Sequence, residues 1–111
     1  MIAHWLNRHL AVWRPTTSPD GAGGQAVTYV RQPDLVRVKV DQPAASERML
    51  AQQAGTELTH SVYVMPTADV RRGDELRDPM RAHVYRVLSV VEPSSTRYRK
   101  AECQLIQPEG T

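Results

Sequence analysis

Leu35-Val36-Arg37-Val38-Lys39-Val40-Asp41 decides how the rest of the chain is read. Val36, Val38 and Val40 fall on one side, and Arg37, Lys39 and Asp41 on the other. A period of two is the spacing of an extended strand with one buried and one wet face. Pro43 ends the strand. Upstream, Val27, Tyr29 and their neighbours up to Arg31 also read as extended. They follow Thr16-Thr17-Ser18-Pro19-Asp20-Gly21-Ala22-Gly23-Gly24, a turn signal, because Asp and Gly supply the backbone angles a hairpin needs. Leu6 to Arg14, with Leu6, Leu10 and Val12 on one side, predicts a first strand broken at Pro15.

Downstream, Ala44 to Ala54 holds good helix formers and stops at Gly55, a C-terminal cap. The run is short and weakly apolar, so Gln42 to Glu57 reads as an excursion between strands with one or two helical turns. Leu58 to Met65 returns to alternation: Leu58, His60, Val62 and Val64 on one face, Thr59, Ser61 and Tyr63 on the other. Pro66-Thr67 turns the chain, and Asp69 to Asp74 connects, pivoting at Gly73. His83 to Val91 carries Val84, Tyr85, Val87, Leu88, Val90 and Val91, too apolar for a strand with one wet face, and predicts a central strand with a bulge. Glu92 to Thr96 predicts a turn. Arg97 to Ile106 predicts a last strand, with Ala101, Cys103 and Leu105 inward and Lys100, Glu102 and Gln104 outward. The tail Gln107 to Thr111 is expected to fray. Six or seven short strands without strand–helix alternation predict an all-β fold, a small antiparallel barrel or sandwich, as one domain over 1–111.

The bulk properties agree. With 41% hydrophobic and 23% charged residues, 111 residues suffice for a core. Without any Phe, and with aromatics at 5%, that core rests on Val, Leu and Ala. It is thin enough to lean on neighbouring subunits. The net charge of +2 is too slight for a nucleic-acid-binding composition. Cys103, the one cysteine, forms no internal disulfide and lies on an apolar strand face, which predicts an inert buried thiol. Met1 to Arg8 lacks the pattern of a secretion signal, and no stretch is long and apolar enough for a membrane span.

Candidate chemistry is sparse. His4, His9, His60 and His83 lie on separate segments without metal-ligand spacing. No nucleophile–base pair, carboxylate pair or cofactor signature is present, so the reading is a non-enzyme without cofactor or metal. Gly21 to Gly24 lacks the Lys-Ser/Thr of a phosphate cradle. Arg72-Gly73-Asp74 spells an adhesion tripeptide that an ordinary Gly-Asp turn explains. Two basic groups, Arg71 with Arg72 and Arg97 with Arg99 and Lys100, are candidates for subunit or DNA contact. Asp69, Asp74, Glu75 and Asp78, interleaved with the first group, favour salt bridges between subunits.

The order of segments resembles the head–tail joining (head-closure, or stopper) proteins of tailed bacteriophages and gene-transfer-agent-like particles. The resemblance rests on Leu6-Asn7-Arg8-His9-Leu10-Ala11-Val12-Trp13-Arg14 before Pro15, the Gly23-Gly24 turn, Tyr29, and Ser46-Glu47-Arg48 after the strand over Val36 to Val40. It continues through Gln53-Ala54-Gly55-Thr56-Glu57-Leu58-Thr59-His60 and Tyr85-Arg86-Val87-Leu88-Ser89-Val90 to the final strand. It departs at Met65, where the family often has Arg, and at Ala82, where it often has Gly shortly before the Tyr strand.

The resemblance implies a β-barrel structural protein of the virion neck, assembled in the host cytoplasm. It implies a homo-oligomeric ring, commonly twelve-fold, between the portal or adaptor ring and the tail terminator or tail tube, with no membrane partner. The ring closes the capsid channel over packaged DNA and offers the tail its platform. The excursion over Gln42 to Glu57 would project into the channel, with Ser46, Glu47, Arg48, Gln52 and Gln53 lining it. The alternatives are a tail-completion or terminator ring, or an oligonucleotide-binding barrel. The latter would need Trp5, Trp13, Tyr29, Tyr63, Tyr85 and Tyr98 to supply a stacking face.

Overall fold

The computed structural model of the chain describes residues 6–92 and 97–106. Expectations for the N-terminal residues 1–5, most of the turn over Glu92 to Thr96 and the tail Gln107 to Thr111 fall outside them. Six strands, β1 (Arg8–Pro19), β2 (Gln25–Asp41), β3 (His60–Val64), β4 (Glu75–Arg77), β5 (Val84–Val91) and β6 (Arg99–Ile106), are joined by one helix, α1 (Ala45–Gln53). Every pairing is antiparallel, in the closed order β1-β2-β3-β6-β5-β4. The all-β expectation holds, and closure satisfies the sheet edges that an open sheet would leave unpaired.

The interior follows the alternation. Val38, Val62, Val64, Leu10, Val12, Tyr85, Val87, Ala101 and Cys103 are buried, joined by Val70 from the loop before β4 and Leu76 on β4. A six-stranded barrel is narrow, and branched, medium-sized Val side chains fill most of it around Tyr85, the largest side chain inside. Burial pushes the Cys103 thiol up to about 12, which keeps it protonated and unreactive. The bulge expected in the apolar strand is real. Val87 pairs with Cys103 but Ser89 with Glu102, leaving Leu88 as the extra residue, turned to the outer side.

Several expectations are corrected. Pro15 does not break β1, which continues to Pro19. The Asp20 N–H bonds the Gly24 carbonyl at 3.2 Å, and bonded and unbonded pairs alternate along an antiparallel ladder. Pro19, opposite Gln25, and Pro15, opposite Tyr29, therefore fall at unbonded positions, and their nitrogens face the free edge of the hairpin. Neither ring removes a ladder bond.

The two upstream runs, Val27 to Arg31 and Leu35 to Asp41, are one strand, β2. Ala11 pairs with Leu35 and Trp13 with Arg31, so Gln32, Pro33 and Asp34 stand opposite Val12 alone. Pro33 sits in that bulge, where no donor is needed. Strand β4, of three residues, was not anticipated. Ser61, on the face opposite Val62 and Val64, is buried as they are. Asp69, Asp74, Glu75 and Asp78, expected to pair between subunits, form their pairs within the chain, and all but Asp69 are buried.

Beyond Trp13 and Arg31 the β1–β2 hairpin leaves the barrel as a two-stranded ribbon with a tip at Asp20–Gly24. It lengthens the molecule to 49 Å, against 35 and 31 Å in the other directions.

Candidate functional site

Two elements stand away from the barrel, the ribbon and α1, and both are positioned by identifiable contacts. The ribbon is fixed at its root. Arg14 donates from Nε and Nη2 to both oxygens of Asp74, at 3.1 and 3.0 Å. It also donates from Nη1 to Asp69 Oδ2 at 3.1 Å, and from Nη2 to the Asp69 carbonyl at 3.2 Å. The Asp74 hydrogen bonds lead a set of contacts that raise the Arg14 pKa further. Asp74 is buried and accepts the Arg71 backbone N–H at 2.9 Å as well. A two-pronged pair of this kind holds direction as well as charge. It ties the ribbon to the loop before β4 and makes the adhesion reading of Arg72-Gly73-Asp74 untenable, because the carboxylate is spent inside the protein.

On the outer side of the same root, the Arg77 guanidinium lies over the Trp13 ring, 4.1 Å from its centre, and 5.9 Å from that of Tyr29. Glu75 takes the Arg77 Nε and Nη2 at 3.1 and 2.7 Å.

Helix α1 is helical because all its residues but Ser46 are Ala, Glu, Arg, Met, Leu or Gln, strong formers. Its start is weakly capped: Ala44 offers no side-chain acceptor, and Glu47 Oε1 takes the Ala44 N–H at 3.4 Å. Its end is a full Schellman stop. Gly55, at φ +78°, donates to the Gln52 carbonyl at 2.9 Å, and Thr56 donates to that of Ala51 at 2.8 Å.

No helix residue is buried. Glu47, pointing at the barrel, bonds Lys100 on β6. Lys100 draws the Glu47 carboxyl below its ordinary range. Burial pulls Lys100 down, but Glu47 outweighs it and the net shift is upward. Between helix and barrel lies a cleft of about 390 Å³, walled by Leu50 and Ala51 on one side and Leu58 and Leu88 on the other, with Glu47 and Glu102 at its rim. The helix is thus held off the barrel by one ion pair and a partly filled apolar seam.

The expected channel residues divide accordingly. Ser46, Arg48, Gln52 and Gln53 are exposed, whereas Glu47 is engaged with Lys100. The basic candidates differ in their partners. Arg71 bonds Asp69 at 3.0 Å, while Arg72 is exposed. Arg99 donates to the Ala68 carbonyl at 3.3 Å and lies 3.6 Å from Glu92, Lys100 holds Glu47, and Arg97 is exposed on the outer surface. The two expected groups, channel loop and basic contact, meet at Glu47 and Lys100. The Arg14–Asp74 pair was not legible in the sequence, since the partners are 60 positions apart and no spacing rule joins them.

The arrangement offers little to chemistry. Among the described residues no three His, Cys, Asp or Glu side chains come together as metal ligands. The described aromatics are dispersed: Trp13 and Tyr29 at the ribbon root, Tyr63 against Tyr98 at 5.4 Å, and Tyr85 buried against His60 at 5.2 Å. They do not line up as a face on which bases could stack. What the molecule does present is two projecting elements and a cleft, which are features of assembly.

Known proteins sort the possibilities. The fold is shared with protein SF1141 from Shigella flexneri 2a, whose solution structure aligns with a TM-score of 0.68 over 96% of both chains at 12% identity. A chain in the virion of a native gene transfer agent particle aligns with a TM-score of 0.61 at 25% identity, covering 88% of this chain and 92% of that one. No curated protein matches the sequence. The model of the phage head completion proteins matches residues 1–106, nearly the entire chain. The chain belongs to the phage head completion protein family.

Proposed function

We propose that this protein is a ring subunit of the neck of a phage-like particle. In this reading it joins head to tail and closes the capsid channel over packaged DNA. The observation that carries the reading is the family match across residues 1–106, supported by the shared fold of a chain from a gene transfer agent virion. The ring would sit between the portal or adaptor and the tail terminator or tube. Its assembly would take place in the host cytoplasm. Its action is steric and electrostatic, with no reaction step.

Within that frame α1 is the closing element. Its barrel side is committed to Lys100 and the cleft, and Arg48, Gln52 and Gln53 are exposed to solvent. Repeated around a ring, one such helix per subunit narrows an opening, and Arg48 brings a positive charge towards DNA phosphates. Amide side chains at Gln52 and Gln53 present donors and acceptors to water or to a neighbouring helix without fixing DNA sequence. Because no residue of α1 is buried, the barrel tolerates changes on this side.

The test is the triple variant Arg48→Ala, Gln52→Ala and Gln53→Ala. It leaves Glu47, Leu50 and the helix propensity in place. Particles carrying it are expected to contain the chain in normal amount but to lose packaged DNA, measured as nuclease-protected DNA per particle. Full DNA retention in particles that contain the variant would refute the closing role of α1.

A further inference from the structure

In the closed order β1-β2-β3-β6-β5-β4, the β1–β2 pair that carries the ribbon lies diametrically opposite the β5–β6 pair. Over that second pair lies the cleft beneath α1. The root of the ribbon and the cleft therefore lie on opposite sides of the barrel wall.

The projection, otherwise polar, carries two exposed valines. Val27 is 59% exposed and Val30 47%. They lie on opposite faces of β2, so both sides of the ribbon carry an aliphatic group. Its free β1 edge is blunted, because the nitrogens of Pro15 and Pro19 face outward and offer no donor. Pairing along the β1 edge is thereby discouraged, while the β2 edge and both faces of the ribbon stay open to contact.

The socket matches in kind. Leu50, 67% exposed, and Ala51 form one wall, and Leu58 and Leu88 the other. It is also lined by Glu47, which is paired with Lys100, and by Glu102, which accepts the Ser89 hydroxyl at 2.8 Å, while Arg31 stands exposed at the base of the ribbon. The tip carboxylate of Asp20, the one acid on the ribbon, is occupied by the Ala22 and Gly24 N–H groups at 2.8 and 3.1 Å.

A projection and a socket rooted on opposite sides of one barrel wall make a heterologous contact, and contacts of that type repeat head to tail until a rotation closes them. We infer that the ribbon of each subunit docks into the α1 cleft of the next copy of this chain, with Val27 entering between Leu50 and Leu88. The inference rests on the ring reading above and names its interface.

The contact is tested by disulfide trapping in assembled particles. Cys103 is buried and unreactive, so introduced cysteines report alone. Tagged chains carrying Val27→Cys, Leu50→Cys, or both are expressed in the producing cell, and purified particles are oxidised mildly. The double variant is expected to give a ladder of covalent species extending beyond the dimer, and each single variant no ladder. Both positions are exposed, so neither change threatens the fold.

A charge exchange supplies a second reading. Val27→Asp is expected to reduce incorporation into particles at least tenfold, and Leu50→Lys in the same chain to restore it. Wild-type chain in particles with neither ladder nor rescue would overturn this interface and leave the neck reading standing. Absence of wild-type chain from particles would overturn the neck reading and this interface with it.

Discussion

Val62 on β3 is sealed from water, while Val27 on the outer half of β2 leaves 59% of its surface exposed. The same residue type in the same kind of alternating strand has two destinations in one molecule. In the barrel, an inward valine meets valines from the other strands and is worth about 1.5–3 kcal/mol of burial. On the ribbon, the hairpin has no third strand to cover it, and an isolated hairpin is marginally stable. The ribbon persists because Arg14 and the Trp13–Arg77 contact hold its root. The difference teaches that alternation reports an extended backbone and not what will cover it. Apolar residues left uncovered by a thin-cored subunit are where a larger assembly is expected to continue the packing.

The contrast can be broken most forcefully in the barrel. Leu76→Ala, at a fully buried position on the shortest strand, is expected to cost about 3 kcal/mol in urea unfolding. Val30→Ala on the ribbon should stay within about 0.5 kcal/mol. Equal costs would mean that the ribbon is packed in the isolated subunit after all.

Asp74→Ala probes the junction between the two regions. Removing the buried carboxylate strands Arg14 and the Arg71 N–H, and about 3 kcal/mol of destabilisation is expected. Faster amide exchange along Arg14–Arg31 should accompany it. Global destabilisation without faster exchange in the ribbon would show that the pair serves the barrel alone.

A smaller effect of opposite sign is expected at Ala82. Its φ of +57° places an L-residue in the left-handed region, at the position where the family resemblance leads one to expect Gly. Ala82→Gly should stabilise the barrel by about 1 kcal/mol in the same unfolding experiment, since the relief of strain exceeds the gain in unfolded-state freedom. Destabilisation would contradict the strain.

The smallest effect concerns α1 and pH. Lys100 holds the Glu47 carboxyl below its ordinary 4.5. The pair's contribution is therefore fully present above that ordinary value and is lost as pH falls through the lower value of the folded state. Exchange of the Ala45–Gln53 amides, corrected for the intrinsic pH dependence, should accelerate in acid while the barrel amides stay protected. Lys100→Ala should remove the pH dependence of that difference.

Much of the fold was legible in the residues, because a barrel interior and a period-two pattern are the same fact seen twice. Val36 to Val40, Val62 to Val64 and the Leu88 bulge in an overfull apolar strand all follow from it. Gly55 marked the end of α1. What escaped was tertiary. Pro15 looked like a break because its role depends on which edge its nitrogen faces. Alternation set Ser61 opposite Val62 and Val64 but did not show that its own side is covered too. Glu75 to Arg77 is too short to show a period and is a strand only because β1 and β5 flank it. Of the candidate site, the excursion and its polar residues were visible, and the meeting of Glu47 with Lys100 was not. Nor was Arg14 with Asp74, which only the closed barrel brings together.

The most direct measurement is cryo-electron microscopy of particles from the producing cell, with this chain carrying a small tag. The account predicts a tagged ring at the neck, between portal and tail, with α1 facing the channel. The tag at the far end of the tail, or particles with intact necks that lack it, would contradict it.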